Sequence, residues 1–249
     1  MGRSKIILLA VVLLANTLAA TAKDDTGLIL GVAVEKKFNK KTGIEVEADF
    51  RSRNDFRTFD RFSVGITADH KFTKWLKADL GYQLLVNNRP EKITYNPDGN
   101  YNNWRPSYYC TSHRFNVSLT GSYRIGRVDL SLRERYRYTY RPLKTTTRYD
   151  FDNAYWENSD VKSKHSHVLR SRLKAAWDIP KCKFKPYVSA ELFNDLRLFK
   201  SRYQAGCEYS LMKKHEFTLY YQYQNVNDKT EEEDEPNSHM FGLSYKFKF

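Results

Sequence analysis

From Phe241 to Phe249 the chain reads Phe-Gly-Leu-Ser-Tyr-Lys-Phe-Lys-Phe, with an apolar or aromatic side chain at every odd position and a small, polar or basic one between. Successive side chains of a strand point to opposite faces, so this segment has one greasy face, one wet face and an aromatic last residue. It predicts the closing strand of a bacterial outer-membrane β-barrel, whose wall divides lipid from a polar interior.

Residues 1–22 carry Arg3 and Lys5, an apolar stretch from Ile6 to Ala15, and then Ala20-Thr21-Ala22. That layout is a secretory signal peptide cleaved before Lys23, not a membrane span. A lipoprotein would begin its mature chain on cysteine, and Cys110, Cys182 and Cys207 all lie far from Lys23. After residue 22 no stretch supplies the about 20 apolar residues of a transmembrane helix, which excludes a helical inner-membrane protein. The expected organisation is a signal peptide over 1–22 and a single barrel domain over 23–249, in the outer membrane of a Gram-negative cell.

A mean hydropathy of −0.70 alongside 18 tyrosines and 15 phenylalanines suits a barrel, because half of each strand faces lipid and half faces a polar lumen. A soluble periplasmic β-sandwich shares the alternation but has no need of terminal aromatics. The 42 lysines and arginines, two of them within residues 1–22, outweigh 29 acids. Such a balance usually points to nucleic acid or anionic lipid. Behind a secretory leader no nucleic acid is expected; lipopolysaccharide phosphates outside, or an anionic solute inside, are the expected partners. The three cysteines are expected in a long loop (Cys110), a tight turn (Cys182) and on an outward strand face (Cys207), too far apart for a structural disulfide.

Alternation continues through the chain. Residues 28–38 form a weakly patterned first strand, because Ile29, Gly31 and Ala33 between Leu28, Leu30, Val32 and Val34 are not polar either. The second is cleaner, with Ile44, Val46, Ala48 and Phe50 opposing Glu45, Glu47, Asp49 and Arg51. Further strands are predicted at 61–71, 75–87, 113–125, 127–140, 167–178, 184–193, 202–211 and 216–226, before the last one. Pro186 falls near a strand start, where its missing N–H is tolerated.

Connection lengths orient the barrel. Short turns near residues 73, 126, 181 and 213 belong in the periplasm, and the long segments 88–111, 142–165 and 227–237 belong outside. Trp75 and Trp177 then fall at the periplasmic interface, with Tyr138 and Tyr140 at the outer one. Eleven strand-like segments conflict with the even number expected of a bacterial barrel with both ends in the periplasm. The prediction is therefore an all-β, antiparallel transmembrane barrel of 10 to 12 strands, twelve favoured, in which either residues 28–38 do not complete the wall or one strand is concealed in a long segment.

On the inward parity stand Arg51, Arg61, Arg114, Arg124, Arg133, Arg135, Arg137, Arg170, Arg172 and Arg202. Guanidinium forks match carboxylate, phosphate and sulfate groups, so Arg114, Arg124, Arg133, Arg135, Arg137, Arg170, Arg172 and Arg202 are the candidate anion-facing residues of the lumen. Glu45, Glu47, Asp49, Asp69 and Asp79 share that interior, with Asp129, Asp178, Glu191 and Glu208. A narrow barrel filled by arginine–carboxylate ladders is the competing expectation. Glu134 is the exception, aimed at lipid near mid-strand, and a β-bulge is expected to relieve it.

The long segments hold Tyr101 and Trp104, then Tyr155 and Trp156, amid asparagines. Such rings stack on sugars or simply pack a loop onto the rim. The acidic run Glu231 to Glu235 reads as a solvated loop. No catalytic residue is identified: His113 and Ser118 have opposite parity, and His165-Ser166-His167 lacks a further metal ligand at a recognisable spacing. No glycine-rich phosphate loop or cysteine-pair metal site appears, so neither cofactor nor metal is expected.

Lys36-Lys37-Phe38 leading into Ile44-Glu-Val-Glu47, Leu80-Gly-Tyr82, His113-Arg114, Arg133-Glu-Arg135, Pro186-Tyr-Val-Ser-Ala-Glu191 and the strand from Arg202 to Leu211 resemble the DUF2490 family, outer-membrane barrel-like proteins found largely in Bacteroidota. The resemblance implies a barrel and carries over no catalytic residue. An arginine-lined barrel of this size is also similar in architecture to porins for acidic oligosaccharides. Three functions follow as expectations: a passive pore or binding protein for anionic small solutes such as acidic sugars; a closed barrel with a structural or surface-interaction role; and a lipid-modifying hydrolase. The barrel assembly machinery, recognising the C-terminal strand that ends at Phe249, and the outer-membrane lipid, lipopolysaccharide included, are further expected partners.

Overall fold

The computed structural model describes residues 24–212, 214–227 and 236–249. Its strands in chain order are β1 (Asp25–Lys37), β2 (Thr42–Arg53), β3 (Thr58–Lys71), β4 (Leu76–Arg89), β5 (Lys92–Tyr95), β6 (Tyr101–Arg105), β7 (Tyr108–Ile125), β8 (Val128–Arg141), β9 (Lys144–Asp150), β10 (Tyr155–Val161), β11 (Lys164–Trp177), β12 (Phe184–Asn194), β13 (Leu198–Leu211), β14 (His215–Val226) and β15 (Ser238–Lys248). β1–β4, β7, β8 and β11–β15 close a barrel, while β5, β6, β9 and β10 form a second, four-stranded sheet. The signal-peptide segment 1–22 and the acidic run 231–235 lie outside the described residues.

The eleven alternating segments are the eleven barrel strands, and the expected twelfth is not among the described residues. Closure is achieved differently. β1 pairs with β15 in parallel, from Asp25 opposite Ser238 to Glu35 opposite Lys248, whereas every other barrel neighbour is antiparallel. One parallel seam lets an odd number of strands leave no open edge. It also starts β1 and finishes β15 at opposite ends of the barrel.

The barrel is apolar outside. Val32, Leu80 and Leu219 are 58%, 62% and 65% exposed, and among the described residues the buried apolar cluster is Val168, Phe193 and Phe199. That inversion of the usual core requires an apolar solvent around the wall. The weak pattern of β1 has a local cause: a Cβ on Gly31 would lie 2.7 Å from the Asp49 carboxylate and 2.9 Å from the Ser244 hydroxyl, so the inward position must stay small. Gly242 similarly leaves room for the ring of Tyr220, which crosses it.

Turns 38–41, 72–75, 126–127 and 178–183 and the turn after Leu211 share one end of the barrel. The connections 54–57, 90–107, 142–163 and 195–197 and that between β14 and β15 share the other. The long segments thus gather at one end as expected, with Trp75 and Trp177 exposed at the short-turn end. Two of the long segments fold into hairpins that join through Asn103 opposite Asp150 and Trp104 opposite Tyr149.

Two local expectations are corrected. Glu134 sits in uninterrupted register with both neighbouring strands, so there is no bulge there; the Ser171 hydroxyl donates to its carboxylate at 2.7 Å instead. Cys110 lies on β7 and is buried on its inward parity, not in a loop, because β7 begins at Tyr108. All three cysteines are free thiols.

Candidate functional site

Two consecutive rungs of the wall bring the predicted arginines together. One runs Thr120, Arg133, Arg172, Glu191, Arg202, Gln224 across β7, β8 and β11–β14. The next runs Ser118, Arg135, Arg170, Phe193, Lys200 across β7, β8 and β11–β13. Arg133 thus stands directly opposite Arg172, and Arg135 directly opposite Arg170. Like charges face to face across a strand pair are destabilising, and here one buried carboxylate gathers them. Glu191 accepts from Arg133 at 2.9 Å and from Arg170 at 2.8 Å, with Arg202 at 3.7 Å. Arg135 donates to Ser118 at 2.8 Å, and Arg202 to Gln224 at 2.8 Å.

Phe193, fully buried, lies against this cluster. Its ring has Lys200 at 4.6 Å, Arg170 at 4.7 Å, Arg202 at 5.0 Å and Arg137 at 6.0 Å. The negative face of the ring is a weak counterpart for cations that one glutamate does not neutralise. Gln204 donates to Gln222 at 2.9 Å beside them, and Gln222 and Gln224 are almost fully buried. The middle of the lumen is therefore filled by side chains that together are rich in donors.

Toward the long-loop end the lumen opens into a cavity of about 60 Å³. Arg53, Arg61, Arg89, Arg114, Arg137, Arg141 and Lys164 line it against a single carboxylate, Asp60, with Ser112 and Thr139 among the neutral groups. Arg53 and Arg89 end β2 and β4, Arg141 ends β8 and Lys164 begins β11. Four strand ends thus meet in one basic mouth. Toward the short-turn end a cavity of about 550 Å³ carries mixed charge from Lys74, Arg172, Lys174, Lys185, Asp129 and Glu208.

The acids are paired by lysines rather than by arginine ladders at this end. Lys246 meets Glu45, Lys248 meets Glu216 and Lys185 meets Asp129, each at 2.6 Å, and Lys174 bonds Glu208. Among these carboxylates Glu191 gathers three arginines, while Asp129 adds only Arg124, at 3.7 Å, to its lysine. Charge in the lumen is graded along the axis, mixed at the short-turn end and arginine-rich toward the loops.

The family model DUF2490, described as a protein of unknown function, matches residues 26–235. The chain belongs to the DUF2490 family. Among solved structures this DUF2490 chain is similar to the beta domain of the Bordetella autotransporter Brka, at a TM-score of 0.52 and 14% identity, covering 74% of this chain and 75% of that one. It is also similar to the NanC porin, at a TM-score of 0.49 and 11% identity, covering 90% of this chain and 99% of that one. The likeness to the autotransporter domain is one of fold alone. No curated protein matches the sequence.

Not every predicted site residue of this DUF2490 barrel joins the arginine cluster. Arg124 is a rim residue: it bonds Asp178, approaches Asp129 at 3.7 Å and donates to the Gly126 carbonyl, tying two short turns together. On the inward parity of β7 it lines the short-turn cavity beside Asp129, Lys174 and Lys185, apart from the arginine cluster. Phe193, Gln222 and Gln224 carried no charge signal in the sequence; their inward parity was the only clue.

Of the four loop aromatics, Trp104 and Trp156 lie 5.5 Å apart, and the ring of Tyr101 packs at a tilt against both Tyr95 and Phe151. Tyr149 joins them beside Trp156 at 5.4 Å. Tyr155 has the opposite parity and directs its hydroxyl to Glu157 at 3.4 Å. Five histidines bond tyrosine hydroxyls of neighbouring strands, as Tyr82 with His113 at 2.8 Å and Tyr138 with His165 at 2.6 Å, and His70 bonds Thr42. Those partners make the histidines part of the wall.

Proposed function

We propose that this protein is an outer-membrane barrel acting as a passive pore or binding protein for anionic small solutes, acidic sugars among them. The observation that carries the reading is the pair of cross-strand arginine contacts, Arg133 with Arg172 and Arg135 with Arg170, held by one carboxylate. A lumen that gathers more guanidinium groups than carboxylates at its centre favours anions over cations in passage. The apolar outer wall supports residence in lipid, with lipopolysaccharide around the loop end. Export through a cleaved leader, a Gram-negative host and delivery by the barrel assembly machinery through the last strand belong to the same proposal.

Single-channel recording of the refolded protein in a planar bilayer under a salt gradient tests it. Anion-selective steps are the expected outcome, with the preference reduced in Arg133→Gln and Arg135→Gln. Steps that are cation-selective or unselective would sink the reading.

The second reading is a closed barrel whose surface does the work. The complete burial of Phe193 and near-complete burial of Gln222 and Gln224 favour it, as does the aromatic sheet built by the long connections. A folded barrel that never conducts is its signature.

A further inference from the structure

We infer that the basic mouth of the lumen is a saturable binding site for one oxyanion group, a carboxylate, sulfate or phosphate, carried by a small solute. The inference rests on the anion-directed reading of the lumen and adds a defined site at its outer end. Three observations converge on it.

The first is the lining: seven cationic side chains surround a cavity with one carboxylate. Asp60 is shared between Arg51 and Arg53, each 3.9 Å away, beyond hydrogen-bond length. Confining so many guanidinium groups leaves a strong positive potential at the mouth.

The second is the hydrogen-bond inventory. The Nε atoms of Arg53 and Arg141 are buried and meet no acceptor among the described residues. The best acceptor of the Arg141 terminal nitrogen is the Lys162 carbonyl at 3.5 Å, the limit of a bond. Buried donors of this kind are normally satisfied, and an oxyanion is the acceptor that answers guanidinium geometry with two parallel bonds.

The third is size. A cavity of about 60 Å³ exceeds the room needed for a single water. It takes the charged group of a solute while the rest of the molecule projects into the opening. Arg114 is already oriented, its Nε donating to Thr139 at 3.3 Å, so part of the ordering is complete before the anion arrives.

The test is calorimetric titration of the folded protein in neutral detergent with sodium sulfate and, separately, sodium glucuronate, ionic strength held constant with sodium chloride. Saturable binding at one site per barrel is expected, weakened tenfold or more by Arg53→Gln and by Arg141→Gln. Arg141→Lys should weaken it comparably, since it keeps the charge and loses the fork. Lys74→Gln, removing the same charge at the opposite end, should leave it unchanged.

Titrations that do not saturate, or a loss in Lys74→Gln equal to that in Arg141→Gln, would overturn the inference. Adding anionic lipid to the micelles separates the sources: sulfate binding that persists supports a solute, and competition by the lipid overturns the solute assignment in favour of a headgroup. Should a variant not fold, the arginine Nε–H resonances of the unaltered protein still report the outcome, since sulfate must shift those of Arg53 and Arg141. A barrel that conducts anions without saturable binding removes this site and leaves the pore reading standing; one that binds without conducting keeps this site and the binding-protein reading and removes the pore.

Discussion

Ser171 on β11 donates a hydrogen bond of 2.7 Å to the carboxylate of Glu134, its direct partner on β8, on the outer face of the wall. Leu132, Tyr136, Leu169 and Leu173, all well exposed, flank the pair along the two strands. In lipid such a carboxylate has few other donors, so the serine sets how much the position destabilises the barrel.

Replacing Glu134 with leucine should therefore stabilise the barrel in lipid vesicles by about 1 kcal/mol, below the roughly 2–4 kcal/mol of a lipid-facing Arg or Lys at mid-bilayer. Ser171→Ala should destabilise the parent by about 1 kcal/mol and do nothing in the Glu134→Leu background. Reversible denaturant titrations of the double-mutant cycle measure both. A destabilised Glu134→Leu barrel would contradict the account.

Glu191→Gln leaves Arg133, Arg170 and Arg202 around a neutral amide. Removing one partner of a buried ion pair typically costs about 3–5 kcal/mol. The variant should unfold at distinctly lower urea concentration, and sulfate should restore part of the loss by replacing the carboxylate. An unshifted midpoint would show that the arginines do not depend on Glu191.

Phe193→Ala should lower stability by about 3–5 kcal/mol, as for other buried aromatics cut to alanine. It also removes the ring that faces Arg170, Lys200 and Arg202. Larger single-channel steps, still anion-selective, are expected in bilayer recordings. Conductance identical to the parent would place the constriction elsewhere.

Asp150, in the loop sheet, is held below the ordinary aspartate range by the Asn153 side chain and backbone, then by the Asp152 N–H and the charge of Arg148. A depressed folded value means its support of the β9–β10 turn is complete above the ordinary pKa of about 3.9 and is lost as pH falls through the lower folded value. Amide exchange at Asp152 and Asn153 should stay protected at pH 5 and accelerate only below about 3.9. Asp150→Ala should show the fast exchange at neutral pH.

Legibility in the sequence followed the reach of each interaction. Alternation is a property of adjacent residues, so Val64, Leu80, Val117 and Leu243 could be assigned to the outer face, and Arg133, Arg135, Arg170 and Arg172 to the inner one, without knowing any partner. Arg124 shares that inward parity yet stands apart from the cluster, at the short-turn cavity, because parity says nothing about position along the axis. Glu134 was misread for a related reason: its partner Ser171 lies 37 residues away.

The sequence by itself determined the eleven alternating segments, though not that they alone close the wall, together with their two faces and the end at which the long connections gather, because a period of two and the length of a connection are local quantities. Only the tertiary structure decided the rest. The parallel seam of β1 with β15 depends on two segments from opposite ends of the described chain. The arginine cluster depends on register, since Glu191 meets Arg133 across 58 residues and Arg170 across 21. Register between distant strands is set by the closure of the whole barrel, and a one-residue slip of any strand would turn these charges out of the lumen.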